Sequence, residues 1–368
     1  MKKQVFNPWE AKGDIDYNKL VKEFGISPIK ELPEIFNKEL LFRRKIIFAH
    51  RDIQRILEAV RDKKKFVVMT GLMPTGKFHL GHMLVMMQVI FFQKLGAKVY
   101  IAVADIEAYN ARGQSLEDSR KIAMDYIANY LALGLNLKNC NIYFQSARSD
   151  NAEKSNAYYR LQNLLARHAT FNEFKAVYGE ISPGKMLASL LQASDMLHAQ
   201  LKEFEGECPV LIPVGVDQDP HIRLARDISK RIKTPFTQIS STYNLMLPGL
   251  KHGKMSASDQ TSYIAPTDSS NEVKNKINKY AFSGGQPTLE EHKSKGGNPD
   301  IDVSFQYLRM FLEEDDSKLK EIYEKYKSGE MTTGELKKYT IEKLNEFLKE
   351  HQEKLKDARE KVKKMISS

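Results

Sequence analysis

Two short stretches carry the side chains best suited to chemistry. In PTGKFHLGH, residues 74–82, His79 and His82 stand three positions apart, after a Pro/Gly turn and ahead of a long apolar run. In HGKMSASD, residues 252–259, Lys254 lies in a loop rich in Gly and Ser. A helix that begins near His79 aims unpaired backbone N–H groups and a partial positive charge at the loop before it, which suits an anion. Side chains at i and i+3 share a face of such a turn. Gly81, between the histidines, has no side chain to hold a flat ring off the backbone. Thr75 and Gly76 in the turn, and Met255, Ser256 and Ser258 beside Lys254, complete a candidate site for a nucleotide and its phosphates. Each stretch alone also fits ordinary structure, a histidine pair or metal ligand in the first case and a surface loop in the second. A Walker A loop is excluded, because GLMPTGKF lacks the G-x-x-x-x-G-K-[ST] spacing.

The elements that must position these residues follow from periodicity. FVVMTG, residues 66–71, is a short β-branched run stopped by glycine, and the apolar helix comes after the loop. AKVYIAVADIEAY (97–109) has the pattern of a buried strand. SLEDSRKIAMDYIANYLALGL is an amphipathic helix opened by Ser115, and NIYFQSA is another strand. Residues 151–205 are helical, and CPVLIPVGVDQDPHIRLARDIS returns to strand, loop and helix. This alternation predicts an α/β domain with a doubly wound, Rossmann-like parallel sheet over 61–264, holding a helical insertion at about 151–205. Residues 1–60 form an N-terminal extension with a helical pattern near its end. Residues 265–368 form an all-helical C-terminal domain, broken by SGGQP and KGGNP.

Composition bounds the partners. The chain has 368 residues, 42% hydrophobic and 10% aromatic, so it is globular. Lys and Arg exceed Asp and Glu by 57 to 47, a formal charge of +10 that suits a polyanion and equally suits a solvated Lys/Glu surface. Two cysteines, Cys140 and Cys208, lack CxxC spacing, so neither a disulfide framework nor a structural zinc site is indicated. No signal peptide and no run of about 18 apolar residues is present, which predicts a soluble, cytoplasmic protein without membrane contact.

H-x-G-H after the first strand of an α/β sheet and K-M-S-x-S after its last is a specific conjunction, and with it the sequence resembles the class I aminoacyl-tRNA synthetases. The likeness is to the tryptophanyl branch of archaeal and eukaryotic type. It runs through NPWEAKGDIDYNKLVKEFG, FRRKIIFAHRDIQRIL, TFNEFKAVYG, LIPVGVDQDPHIRLARDI and KMSASD, and on through NKYAFSGGQPTLEEHKSKGGNPDIDVSFQYLRMFLEEDD. The resemblance implies a tryptophan–tRNA ligase that activates L-tryptophan with ATP and Mg²⁺ carried by the ATP, then esterifies tRNA(Trp). It also implies a homodimer joined through about 151–200, with anticodon recognition in the C-terminal domain. His79, His82 and Lys254 are the expected catalytic groups. Gly215 and Asp217 in PVGVDQDP are expected at the ribose.

One departure bears on specificity. The eukaryotic-like branch holds the indole with a tyrosine and a glutamine, at positions that here carry Met69 and Ala102. The helix LLQASDMLHAQL instead places Asp195 where the bacterial tryptophanyl enzymes have an aspartate that accepts the indole N–H. Asp195 is therefore expected to read the side chain from an otherwise apolar pocket that includes Met69 and Gly71. Gln192 and Gln218 are expected at the amino acid's polar end. A tyrosyl enzyme of the same subclass, or a noncatalytic nucleotide-binding relative, stays open on the residues alone.

Overall fold

The computed structural model describes residues 5–7, 10–12, 17–233, 236–257 and 259–367. Nine strands occur among them: β1 (Val5–Asn7), β2 (Glu10–Lys12), β3 (Ser27–Pro28), β4 (Ile47–Arg51), β5 (Val67–Leu72), β6 (Lys98–Val103), β7 (Cys140–Phe144), β8 (Val210–Gly215) and β9 (Ser240–Asn244). β1 and β2 pair with each other, and the other seven form one sheet in the order β3-β4-β9-β8-β5-β6-β7. From β9 to β7 every pairing is parallel, while β4 joins β9 antiparallel and β3 joins β4 antiparallel. Strand order reverses between β5 and β8, the switch point at which doubly wound sheets open a crevice beyond the carboxyl ends of their strands. The sheet therefore has the expected Rossmann-like α/β form.

Two details depart from the sequence reading. AKVYIAVADIEAY is not one strand, since β6 ends at Val103 and the helix Asp105–Arg112 begins two residues later. The Ala104 N–H still pairs with the Leu72 carbonyl at 2.8 Å. The Asp105 carboxylate then accepts from the Ile106 and Ser146 N–H groups at 3.0 and 3.1 Å, turning the chain into a helix with acids in its first turn. β4 precedes the helix Gln54–Arg61 that the N-terminal periodicity predicts, and extends the sheet as an antiparallel strand.

The chain divides into two compact units, one of Met1–Pro33, Ile47–Thr75 and Val85–Leu245, the other of Glu34–Ile46, Gly76–Leu84 and Met246–Ser368. The first holds the sheet and its helices. On one face of the sheet lies a core of Val67, Met69, Tyr100, Ala102 and Tyr143, covered by residues of the helices Ala152–Ala166 and Pro183–Leu197. Buried Gln88 fixes the body of the helix Met83–Lys94 to β9, donating to Asn244 Oδ1 and accepting from the Thr242 hydroxyl, both at 3.0 Å.

The second unit is helical, with Ser270–Tyr280, Asp316–Ser328 and the 35-residue Thr333–Ser367 as its longest helices. Leu40–Arg43 belongs to it: the Arg43 and Arg44 guanidiniums both hold Asp316, at 2.6 Å. Its hub is Asp302, fully buried, whose carboxylate accepts from the N–H groups of Gly284, Ser304 and Phe305 and from the Tyr326 hydroxyl. Asp302→Ala strands these donors away from water and should cost about 3 kcal/mol or more. Thermal melting that shows a midpoint unchanged within a degree would contradict this.

Candidate active site

In the helical unit the sequence between Gly76 and Leu84 folds against the loop that carries Lys254. His79 is extended and begins a short 3₁₀ turn, Leu80–His82, which leads into the helix Met83–Lys94. The His79 N–H donates to His82 Nδ1 at 3.2 Å, and the two imidazoles stack with centroids 3.8 Å apart. The His79 ring also meets the Tyr263 ring, at 5.0 Å. Burial lowers the His79 pKa to about 4, with the Lys254 ammonium adding to the effect, and drives that of His82 well below the ordinary imidazole value. Both rings are neutral at pH 7. The structure thus brings Lys254 within electrostatic reach of both histidines.

The two signatures also touch directly. Gly76 has φ +68°, and a Cβ there would stand 2.4 Å from the Ala257 Cβ. A Cβ on Gly81 would meet the His79 ring at 3.0 Å and the Met255 sulfur at 3.1 Å. The space above Gly81 is therefore filled by His79 and Met255 rather than open to an incoming ring, a difference from the sequence reading. His79 Nδ1 is buried without a hydrogen-bond partner, which suits a group waiting for a ligand oxygen. The exposed Ser256 donates its N–H to Ser262 Oγ at 3.1 Å. Ser258 lies outside the described residues.

The residues expected at the amino acid lie in the sheet unit. Register aligns Gly71 of β5 with Ala102 of β6 and Tyr143 of β7 in one row near the strands' carboxyl ends. Where a side chain on Gly71 would stand, only the Ala102 carbonyl oxygen lies within 4 Å, at 3.8 Å, so this row leaves space on the sheet. Met69, two residues earlier on β5, is buried. Thr75 is half-buried, and its carbonyl accepts from the Tyr126 hydroxyl at 3.1 Å.

Asp195 is 2% exposed on the helix Pro183–Leu197, and its surroundings are not apolar as the sequence suggests. Oδ1 accepts from the hydroxyls of Tyr143 at 2.7 Å and Tyr158 at 2.6 Å, and Oδ2 accepts from Gln145 Nε2 at 2.7 Å. The reason is elementary: a carboxylate taken out of water needs donors. Burial still prevails over them and raises the Asp195 pKa to about 6. One turn earlier, Gln192 Oε1 is buried without a partner. Glu107, in the first turn of the helix Asp105–Arg112, is buried and has its pKa raised to about 7 by desolvation and by the charge of Asp195. An unpaired amide oxygen and a buried carboxylate are acceptors fit for an ammonium group. At the end of β8, Asp217 is buried, Gln218 Nε2 donates to its Oδ2 at 3.3 Å, and a Cβ on Gly215 would lie 2.6 Å from its Oδ1.

The family model for tRNA synthetases class I (W and Y) matches residues 61–349. The chain belongs to this family. Among its relatives, the tryptophan–tRNA ligase of Methanocaldococcus jannaschii is 42% identical over 100% of this chain and 99% of its own. That of Aeropyrum pernix is 41% identical with the same coverage. The crystal structure of the Aeropyrum pernix tryptophanyl-tRNA synthetase superposes with a TM-score of 0.89 at 41% identity, covering 95% of each chain. The Plasmodium falciparum enzyme superposes at 0.82 and 34% identity, again with 95% of each chain covered.

Sequence reasoning missed Tyr143, Gln145, Tyr158 and Glu107 of this synthetase. The signal for two of them was present, because Tyr143 and Gln145 are i and i+2 in NIYFQSA and so share one face of their strand. Both acids in this pocket titrate high, and ionised carboxylates accept N–H donors best. For the synthetase's amino-acid substrate, kcat/KM should be flat above about pH 8 and fall as pH drops through 7 and 6. Asp195→Asn should weaken binding and move the remaining limb below 7, because the charge that helps raise Glu107 is gone. A profile flat from pH 5 to 8 in the unaltered enzyme would sink this assignment.

Proposed function

We infer that this synthetase is a tryptophan–tRNA ligase: it activates L-tryptophan with ATP to tryptophanyl-adenylate and pyrophosphate, then transfers tryptophan to the 3′ end of tRNA(Trp). The observation that carries the reading is His79, His82 and Lys254 gathered in one unit of a chain that aligns end to end with tryptophan–tRNA ligases. In the first step a carboxylate oxygen of tryptophan attacks the α-phosphorus and the bond to pyrophosphate breaks. No protein nucleophile is needed, so catalysis is alignment and charge stabilisation.

With both imidazoles neutral, His79 and His82 serve the phosphates as N–H donors, and Lys254 supplies the full positive charge for the departing pyrophosphate. Mg²⁺ arrives as part of the MgATP substrate. Thr75, Gly76, Gly81, Met255, Ser256 and Ser258 are assigned to ATP, and Gly215 and Asp217 to its ribose. Asp195 accepts the indole N–H on the lone pair left on Oδ2, over the floor made by Met69 and Gly71. Glu107, Gln192 and Gln218 receive the amino end. Residues 265–368 offer aromatic rings and Lys-rich helices on which splayed anticodon bases can stack and hydrogen-bond. We place the enzyme in the cytoplasm as a homodimer joined through about 151–200. Among the described residues no helix is long and apolar enough to cross a membrane.

ATP/pyrophosphate exchange measured with each of the twenty amino acids should proceed with tryptophan alone. Lys254→Ala should slow it by about 100-fold while tryptophan affinity by calorimetry stays within about twofold. Exchange driven by tyrosine would overturn the specificity, and undiminished exchange in the lysine variant would overturn the phosphate assignment.

A further inference from the structure

Behind the pocket lies a buried cation that the mechanism above does not use. Arg148, in the turn after β7, is 3% exposed. A guanidinium stays charged at any pH a protein survives, and a buried charge is costly unless something answers it. No carboxylate among the described residues makes an ion pair with Arg148 within 4.0 Å. Its Nε donates to His198 Nε2 at 2.9 Å and its Nη1 to Asn141 Oδ1 at 3.1 Å, while Nη2 is buried without a partner. What surrounds the cation is aromatic: it stands 3.9 Å from the Tyr143 ring centroid, 4.6 Å from that of Phe204 and 5.4 Å from that of Tyr100.

Both of its principal contacts lead to Asp195. The Tyr143 ring that faces the guanidinium is the one whose hydroxyl donates to Asp195 Oδ1. A cation on a phenol's face draws density from the ring and strengthens its O–H as a donor to an anion. The His198 Nδ1 bonds the carbonyls of Ser194 and Asp195, both at 3.0 Å, so it carries the proton and leaves Nε2 as the acceptor for Arg148. Burial and the neighbouring guanidinium drive the His198 pKa well below its ordinary value, consistent with a neutral ring in that tautomer. Arg148 thus grips the backbone of Asp195 through one ring and its carboxylate through another.

We propose that Arg148 is a positioning residue for tryptophan recognition, holding Asp195 ionised and aimed through the Tyr143 ring and the His198 imidazole. The proposal rests on the reading of Asp195 as the indole acceptor. The titratable and charged groups that face Asp195 are Tyr143 from β7, Tyr158 and Tyr159 from the helix Ala152–Ala166, Glu107 from the helix Asp105–Arg112, His198 beyond its own helix, and Arg148. Of these, Arg148 is the one cation. A cation favours the charged carboxylate, so deleting it must raise the pH at which Asp195 takes a proton.

The test is tryptophan-dependent pyrophosphate exchange from pH 5.5 to 8.5 in Arg148→Met, Arg148→Lys, Asp195→Asn and the Met/Asn double variant, with folding verified by thermal melting. Arg148→Met should raise the KM for tryptophan about tenfold at pH 7 and move the acidic limb up by about one unit, leaving the KM for ATP within about twofold. Arg148→Lys, which keeps the charge, should return the limb most of the way. On the Asp195→Asn background, adding Arg148→Met should leave the limb where it is. A limb unmoved in Arg148→Met, with the same loss on both backgrounds, would reduce Arg148 to a structural part of the core and overturn the proposal. Asp195→Asn with an unchanged KM for tryptophan would instead show that the reading of Asp195 has failed. If Arg148→Met does not fold, Tyr143→Phe, which keeps the ring and deletes the hydroxyl link, has to shift the limb in the same direction, and an unshifted limb there overturns the proposal.

Discussion

A carboxylate removed from water either finds donors or takes a proton, and the helices packed on the sheet are arranged around Asp195 on those terms. Three elements must each deliver a group to it: β7 gives Tyr143 and Gln145 follows it, the helix Ala152–Ala166 gives Tyr158, and the helix Pro183–Leu197 carries the acid itself. A shift of any one by an ångström leaves a buried lone pair or hydroxyl unpaired, at about 1–3 kcal/mol each. This mutual demand fixes the helices against the sheet more tightly than apolar packing alone. It also sets the chemistry. Desolvation pushes the pKa up and the three donors push it down, and the balance near 6 keeps the acid ionised at neutral pH by a narrow margin.

The phosphate side solves the opposite problem. His79, His82 and Lys254 are all capable of positive charge, and within the helical unit they lie close together. Three cations packed together would repel, and burial eases the conflict by lowering the pKa of both imidazoles. The lysine itself is exposed. His79 Nδ1 is buried and has no hydrogen-bond partner.

How much of this was legible follows from how far apart the partners are in the chain. The histidine and lysine signatures are contiguous, so residue type and spacing exposed them, and strand–helix alternation gave the doubly wound sheet. The donors to Asp195 lie 37 to 52 residues before it, in elements whose packing no local pattern specifies. Residues 34–46 show the same limit. Nothing in LFRRK announces that Arg43 and Arg44 will hold Asp316, 273 and 272 residues away, a pairing made within the helical unit. β9 hid for another reason: SSTYN is polar, and its burial becomes reasonable only once the Ser241 hydroxyl is seen to donate to that of Tyr243 at 2.7 Å.

The same accounting of hydrogens bears on why an indole fits better than a phenol. A carboxylate offers about four lone-pair sites, and Tyr143, Tyr158 and Gln145 take three. The hydroxyl protons of both tyrosines are spent on Asp195, so neither phenol is left to donate to a second group. An indole N–H is a donor only and completes the set. A phenol hydroxyl can donate to the same lone pair, but its own oxygen then receives no proton from either tyrosine, and a buried oxygen left unpaired is penalised. Met69 and Ala102 carry no side-chain donor. With Asp195 read as the indole acceptor, as proposed above, specificity would come from the direction in which these hydrogens already point, and would hold only while Asp195 stays ionised, since a protonated acid would offer the O–H that a phenol oxygen needs.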